Sequence, residues 1–171
     1  MAGVPPVGDG QEEDGQIAHP TGRIAFLSPL GWLTLTEAGG RISTLEWRRG
    51  DDHGDASALL NTACDQLAEY FEGKRQVFGL PFAFAEGLSG QVQRAMLAIP
   101  FGQTRTYGDL SRELGVPAQA IGQACGANAL PILIPCHRIL AATGLGGYSG
   151  AGGVETKVAL LRLEGAASLL I

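Results

Sequence analysis

Cys136 and His137 are adjacent at the end of an apolar run, and together they could carry out thiolate chemistry. The thiolate is the nucleophile, but a free cysteine is mostly protonated at neutral pH, so a neighbouring imidazole can supply the base. Residues 130–134 read LPILI and predict a buried strand, and Pro135 then predicts a turn that exposes the sulfur. A core cysteine that happens to precede a histidine gives the same pair, so these two residues alone leave both interpretations open.

The composition is that of a globular protein with free thiols. The 171 residues are 45% hydrophobic and 17% charged, which suits one large domain or two small ones. No apolar run is long enough for a membrane span, and no signal peptide is evident. Cys64, Cys125 and Cys136 lack the number and spacing of a disulfide framework, which favours the reducing cytoplasm.

Charge is unevenly distributed along the chain. The net charge of −5 argues mildly against a nucleic-acid partner. Residues 1–100 carry 7 basic and 13 acidic side chains, whereas residues 101–171 carry 5 and 4. If the protein binds DNA, the second half should make the contacts. Few phosphate contacts then predict a modest affinity with a shallow salt dependence.

The first part of the chain predicts a tail followed by a hairpin. Residues 1–22 are rich in glycine, proline and acids and have no apolar period, which predicts a disordered tail before order begins near Arg23. Residues 32–36 and 41–47 are rich in strand-forming side chains and flank Ala38-Gly39-Gly40, which is a hairpin signal.

A helix and an extended segment complete the expected N-terminal half. Residues 57–71 have the apolar period of a helix that stops at Gly73, with Cys64 on its apolar face as a small core residue. Residues 78–84 include Pro81 and predict an edge strand or a linker. We therefore expect two domains, at 23–85 and 86–171.

The second half predicts three helices. Ser89 should open the first, which ends before Pro100. Thr106 can cap the next, with Asp109 as the acid of a capping box, and Gly115 should close it. The third should begin at Pro117 and end near Gly126.

The last two helices form a helix-turn-helix candidate, although any small α-hairpin gives the same pattern. The third helix is rich in alanine and glycine and has Gln119 and Gln123 on one face. Glycine lowers helix propensity, so a close approach by another group should require the small residues. Tight helix packing and contact with a nucleic acid both explain them.

These motifs together resemble the O6-alkylguanine-DNA alkyltransferases, also called methylated-DNA–protein-cysteine methyltransferases, from about Arg23 to Gly165. The strongest match is NALPILIPCHR at 128–138, followed by IPFGQTRTYGDL at 99–110, GGYSG at 146–150 and LRLEG at 161–165. The resemblance implies an α+β fold. It would have an N-terminal antiparallel-sheet domain like that of ribonuclease H and a mostly helical, winged-helix-like C-terminal domain with a helix-turn-helix.

The resemblance also implies an activity. The protein would flip an O6-alkylguanine, and possibly an O4-alkylthymine, out of double-stranded DNA and transfer the alkyl group once to Cys136. Glu164 would orient His137, which would deprotonate the thiol through a water, and Asn128 would brace the turn. Lesion-binding residues would be Tyr107, Ile139, Tyr148, Ser149, Gly150 and Lys157. DNA-binding residues would be Thr106, Gln119, Ala120, Gln123 and Arg138.

The implied protein is a monomer without a cofactor. His19, His53 and His137 are scattered along the sequence, so no metal site is expected.

The chain departs from the family pattern mainly where DNA would be bound. Gln119 stands where the family usually has an arginine that fills the gap left by the flipped base, and glutamine lacks that positive charge and stacking plane. Leu88 and Gln93 replace aromatic residues, and GAGG at 150–153 lengthens the binding loop. Two alternatives stay open: a divergent member that takes alkyl groups from a non-duplex substrate, and a lesion-binding protein without catalysis.

Overall fold

The computed structural model describes residues 20–51 and 56–166. The first half contains a three-stranded antiparallel sheet of β1 (Pro20–Ser28), β2 (Gly31–Ala38) and β3 (Arg41–Glu46), in that order, followed by α1 (Ala58–Phe71). The second half contains α2 (Gly87–Leu97), α3 (Tyr107–Leu114), α4 (Ala118–Gly126) and α5 (Val154–Leu163). Two short parallel strands, β4 (Arg105–Thr106) and β5 (Ile139–Leu140), lie among these helices. The predicted α+β fold with a helix-turn-helix is confirmed.

The predicted hairpin is present, and the sheet is larger than the sequence suggested. Gly39 and Gly40 both have positive φ, which is the geometry of the tight turn that matches the twist of two antiparallel strands. β1 was not predicted, and it begins at Pro20 inside the segment expected to be a tail. The rest of that predicted tail, residues 1–19, lies outside the described residues, and the expected division of the chain near residue 85 stays a prediction.

The core of the first half lies between the sheet and α1. Leu33, Leu35, Ile42 and Leu45 point into it from the sheet and are at most 3% exposed, and the buried face of α1 covers them. Phe82 pairs with Ile42 in an isolated parallel bridge, so the extended stretch at 78–84 lies along the sheet edge.

Two helix starts differ from the prediction by one or two residues. The first helix of the second half begins at Gly87 rather than Ser89, because Glu86 already has the extended backbone of a residue that precedes a helix. Pro117 is the residue before α4 rather than its first residue. Both differences are as small as the usual uncertainty of helix ends.

Residues 130–135 do not form the predicted strand. They fold into consecutive tight turns, closed by hydrogen bonds from Leu133 N to Pro131 O and from Ile134 N to Leu130 O, both 2.8 Å. Two prolines in the run lack the N–H group that a strand ladder needs, and Ile132 has a φ of +69°. The run is apolar because it is buried on all sides, so its composition could not distinguish a central strand from a buried turn.

No helix among the described residues is long and apolar enough to cross a membrane.

The capping box at the start of α3 predicts a measurable loss of stability. Thr106 Oγ1 accepts a hydrogen bond from Asp109 N at 3.1 Å, and Asp109 Oδ2 accepts one from Thr106 N at 2.9 Å. Thr106→Ala should lower the free energy of unfolding by about 1 kcal/mol, measured by urea denaturation. Thr106→Ser keeps the hydroxyl and should lose much less; an equal loss in both variants would show that the threonine methyl group matters rather than the cap.

Candidate active site

Cys136 begins a 3-10 turn, Cys136–Arg138, that follows the buried turns and precedes β5. Asn128 braces this segment, since its Nδ2 donates to Ile134 O at 3.0 Å and its Oδ1 accepts from Leu130 N at 3.2 Å. Gln93 on α2 donates to Asn128 Oδ1 at 3.2 Å and is itself buried. Gln93, which the sequence marked only as a departure from the family pattern, therefore fixes the brace from the neighbouring helix.

Glu164 is the centre of a buried hydrogen-bond network. Its Oε2 lies 2.6 Å from His137 Nε2 and accepts from Tyr70 Oη at 2.6 Å, while Oε1 accepts from Arg138 Nε at 2.7 Å. Tyr70 comes from α1 in the first half of the chain, 94 residues away in sequence. The carboxylate thus joins α1, the cysteine turn and the C-terminal end of α5.

The network determines the protonation state of Glu164, whereas burial determines that of His137. Burial by itself would raise the pKa of Glu164, but hydrogen bonds from His137 and Arg138 outweigh it and lower that pKa to about 2. Burial lowers the pKa of His137, so the imidazole is neutral at pH 7. A neutral imidazole whose Nε2 faces a carboxylate carries its proton on Nε2. Nδ1 has no hydrogen-bond partner among the described residues and is left as a base.

Burial also raises the pKa of the Cys136 thiol, and a hydrogen bond from Asn128 only partly opposes this effect. The resting cysteine is therefore a thiol, which has to lose a proton before it can attack a carbon atom. His137, the next residue, is the group placed to receive that proton.

Cys136 opens onto a cavity of about 290 Å³. Of the six predicted lesion-binding residues, three line this cavity: Tyr107, Tyr148 and Ser149. Sequence reasoning missed four further lining residues, namely Gly122, Cys125, Gly126 and Gly147. The glycines and the small side chain of Cys125 leave space at the bottom of the cavity. The unusually high content of small residues in α4 was the signal in the sequence that could have identified those of the four that lie on this helix.

Lys157, which was expected to touch the lesion, has a different position. Its side chain is fully buried, and Nζ donates to the carbonyl oxygens of Ile139 at 2.6 Å, Leu145 at 2.5 Å and Gly147 at 3.1 Å. Burial lowers its pKa to about 8. Lys157 holds the cavity loop in place from behind, and neither it nor Ile139 lines the cavity.

Arg138 is the clearest correction among the predicted DNA-binding residues. It is 6% exposed, its guanidinium donates hydrogen bonds to both carboxylate oxygens of Glu164, and its Nη1 donates to Ile99 O at 2.7 Å. A guanidinium held in this way cannot face a phosphate backbone. The resemblance implied a DNA contact for this arginine, but its partner is a buried carboxylate 26 residues further along the chain.

The other predicted DNA-binding residues are on the outside of the helix-turn-helix. Gln119 and Gln123 are exposed on α4, Ala120 is partly exposed beside them, and Thr106 caps α3. The structure therefore gives α4 an exposed polar face next to the glycines that contribute to the cavity.

The other two cysteines are less suited to react. Burial raises the pKa of Cys125 to about 12, and its sulfur lies 3.7 Å from Met96 Sδ. Burial also raises the pKa of Cys64 to about 11, beside Asp65. Among the described residues no group of three His, Cys, Asp or Glu could hold a metal ion, and His19 and His53 lie outside the described residues.

Known proteins are similar to this chain in sequence and in fold. Residues 25–84 match the family model of the 6-O-methylguanine DNA methyltransferase ribonuclease-like domain, and residues 88–166 match that of the DNA binding domain. A methylated-DNA–protein-cysteine methyltransferase of Mycobacterium tuberculosis is 38% identical over 148 residues, 80% of this chain and 88% of the relative. The chain belongs to the methylated-DNA–protein-cysteine methyltransferase family.

Other methyltransferases are also similar to this chain in sequence or in structure. The constitutive enzyme of Bacillus subtilis is 36% identical, over 80% of this chain and 91% of its own length. The crystal structure of Mycobacterium tuberculosis OGT in complex with DNA has a TM-score of 0.74 at 36% identity and covers 85% of this chain and 93% of its own. A Methanococcus jannaschii O6-methylguanine DNA methyltransferase has a TM-score of 0.62 at 25% identity, over 83% and 93% of the two chains.

The Glu164 network predicts a pH-dependent effect of Tyr70→Phe. Losing a buried hydrogen bond to a carboxylate should lower the free energy of unfolding by about 1.5–3 kcal/mol at pH 7. The pKa of Glu164 in the folded protein is about 2, below its ordinary value of 4.5. The stabilisation that comes from the hydrogen bond to the charged carboxylate is therefore complete above pH 4.5 and is lost as the pH falls towards 2. The difference between wild type and variant should therefore narrow over that range in urea denaturation.

Phe71→Leu is the control for this experiment, because Phe71 packs on the Tyr70 ring at 5.2 Å between centroids without a bond to Glu164. Its stability difference should not depend on pH. A Tyr70→Phe difference that is equally constant from pH 7 to pH 3 would contradict the role of the tyrosine as a donor to a charged carboxylate.

Proposed function

We propose that this protein is a single-turnover DNA repair alkyltransferase that moves the alkyl group of O6-alkylguanine in DNA to its own Cys136. One observation carries the proposal: Cys136 lines an open cavity and is followed by a neutral His137 whose Nε2 is bound to a buried carboxylate. This is the arrangement of nucleophile, base and orienting acid that activates a thiol. Members of the family with the same signature are named for the same transfer.

The chemical step follows from this geometry. His137 Nδ1 takes the Cys136 proton through a water, and the sulfur attacks the alkyl carbon as the bond from that carbon to O6 breaks. The electron pair of the broken bond stays on the guanine, which takes up a proton and leaves as the normal base. Burial raises the pKa of Tyr107, so its hydroxyl stays protonated and can donate to the departing base. The product thioether has no hydrolysable bond, so each molecule reacts once.

The size and place of the cavity support a flipped base as the substrate. The O6 atom of a stacked guanine cannot reach a sulfur in a recess of the protein, so the nucleotide has to leave the duplex. Gly122 and Gly126 on α4 let a base approach the backbone, and Gln119 and Gln123 present polar groups from the exposed face of the same helix. We therefore assign the helix-turn-helix to double-stranded DNA, and a similar protein from Mycobacterium tuberculosis has been solved in complex with DNA.

No observation favours the two alternatives. A protein that only binds lesions has no use for a cysteine beside an oriented imidazole, and a free-base transferase has no use for an exposed helix-turn-helix. We propose a monomer that works in the cytoplasm, on the nucleoid when bound to DNA, and that needs no cofactor because the leaving group is displaced by the thiolate alone.

The acceptor assignment predicts a simple mass result. Incubation with a duplex containing O6-methylguanine should add one methyl group per protein molecule, and Cys136→Ala should add none while it still binds the duplex. Cys125→Ala is the matched control, because Cys125 lines the same cavity but its thiol has a pKa of about 12; it should still accept one methyl group. Peptide mapping that finds the methyl group on Cys125 in the wild type would overturn the assignment.

The neutral side chain of Gln119 predicts that the protein flips the damaged base out of the duplex inefficiently. A neutral side chain lacks the attraction of a guanidinium for phosphates and its stacking plane. Gln119→Arg should speed the reaction with duplex O6-methylguanine by about threefold to tenfold, since one added cation contributes one phosphate contact. The rate with free O6-benzylguanine should stay nearly unchanged, because a free base needs no extrusion. If both rates rise together, Gln119 acts on the cavity or the fold rather than on flipping.

A further inference from the structure

Trp47 follows β3 in the first half of the chain, but its side chain packs against the loop that forms the cavity wall. The rings of Trp47 and Tyr148 meet edge to face, with centroids 6.4 Å apart and planes at 80°. Tyr148 in turn lines the cavity onto which Cys136 opens. The indole therefore contacts a ring that lines the space where the alkyl group would lie.

Gly150 shows how closely the loop is packed onto this tryptophan. A Cβ atom on Gly150 would lie 2.8 Å from Trp47 Nε1 and would also collide with Cε1 of Tyr148. Real Cβ atoms do not approach other groups so closely, so any larger residue would push one of the two rings away. Gly150, which was expected to contact the lesion, instead allows Tyr148 and Trp47 to meet.

Packing alone fixes the position of the Tyr148 ring. The Tyr148 hydroxyl and Trp47 Nε1 are both buried and have no hydrogen-bond partner among the described residues. A tyrosine usually gains a fixed position from its hydroxyl when it is buried. Here the contact with the indole of Trp47 holds the Tyr148 ring against the cavity.

We propose that Trp47 is a positioning residue that limits the size of the transferable alkyl group by holding Tyr148 against the cavity. The inference rests on the proposed alkyl transfer. It means that a residue just after the last strand of the N-terminal sheet, and not among those that line the cavity, sets the lesion range. Removing the indole would leave unfilled space behind Tyr148 into which that ring could retreat.

The test compares two lesions in the same duplex, O6-methylguanine and O6-benzylguanine, with rates measured by intact mass under single-turnover conditions. Trp47→Leu should raise the ratio of the benzyl rate to the methyl rate by about fivefold or more, since a few added carbon atoms in an apolar pocket change rates on this scale. The methyl rate itself should change little, which a general loss of folding would not allow.

Trp32→Leu is the matched control, because Trp32 is the only other tryptophan in the chain. It lies on β2, is 37% exposed and packs under Arg49 at 4.5 Å instead of touching the cavity loop. The ratio in this variant should equal that of the wild type. An unchanged or lower ratio in Trp47→Leu would overturn the proposal.

A double-mutant cycle separates an action through Tyr148 from a wider disturbance. Tyr148→Ala removes the wall itself, so adding Trp47→Leu to it should change the ratio no further. A further fivefold rise in the double variant would overturn the proposed route through Tyr148. The proposed function has its own distinct failure, which is the absence of any methyl transfer to the wild type.

Discussion

The burial of one carboxylate is the constraint on which the rest of the site depends. Glu164 is 4% exposed, and a charge so far from water has to be matched by donors or it would be protonated. Three side chains provide those donors: Tyr70 from the first half, and His137 and Arg138 from the cysteine turn. The same carboxylate therefore joins both halves of the chain and fixes which ring nitrogen of His137 carries the proton.

The need to direct the thiol and the imidazole to different partners explains why the nucleophile lies on irregular backbone. A strand would place Cys136 and His137 on opposite faces, whereas a 3-10 turn lets the thiol face the cavity while the imidazole faces Glu164. The buried turns that lead into it are held by Asn128, which bonds Ile134 O and Leu130 N and is itself bonded by Gln93. A second positioning chain runs from Lys157 through three carbonyl oxygens to the loop that carries Tyr148.

Local signals in the sequence predicted local features well. Cys136 beside His137, the capping box of Thr106 and Asp109 and the Gly39-Gly40 turn all involve residues close together in sequence, and the structure contains each of them. One local pattern was misread, since the apolar run at 130–134 forms buried turns rather than a strand. The errors at the site concern residues whose partners are distant. The resemblance implied binding contacts for Arg138 and Lys157, and neither Glu164 nor the three loop carbonyls can be recognised from the sequence as their partners. The sequence did not indicate the role of Trp47, because no local pattern relates the end of β3 to a loop about 100 residues later.

In the proposed mechanism, burial keeps His137 neutral although Glu164 raises its pKa, and Glu164 holds the proton on Nε2, so that Nδ1 can accept one from the thiol. The most direct measurement is the nitrogen NMR spectrum of the protein with ¹⁵N-labelled histidine, because the two ring nitrogens report protonation separately. We expect a neutral ring at pH 7 with a proton on Nε2 alone, and the same tautomer in Cys136→Ala. A doubly protonated ring at pH 7, or a proton on Nδ1, would contradict this role of His137 as the base.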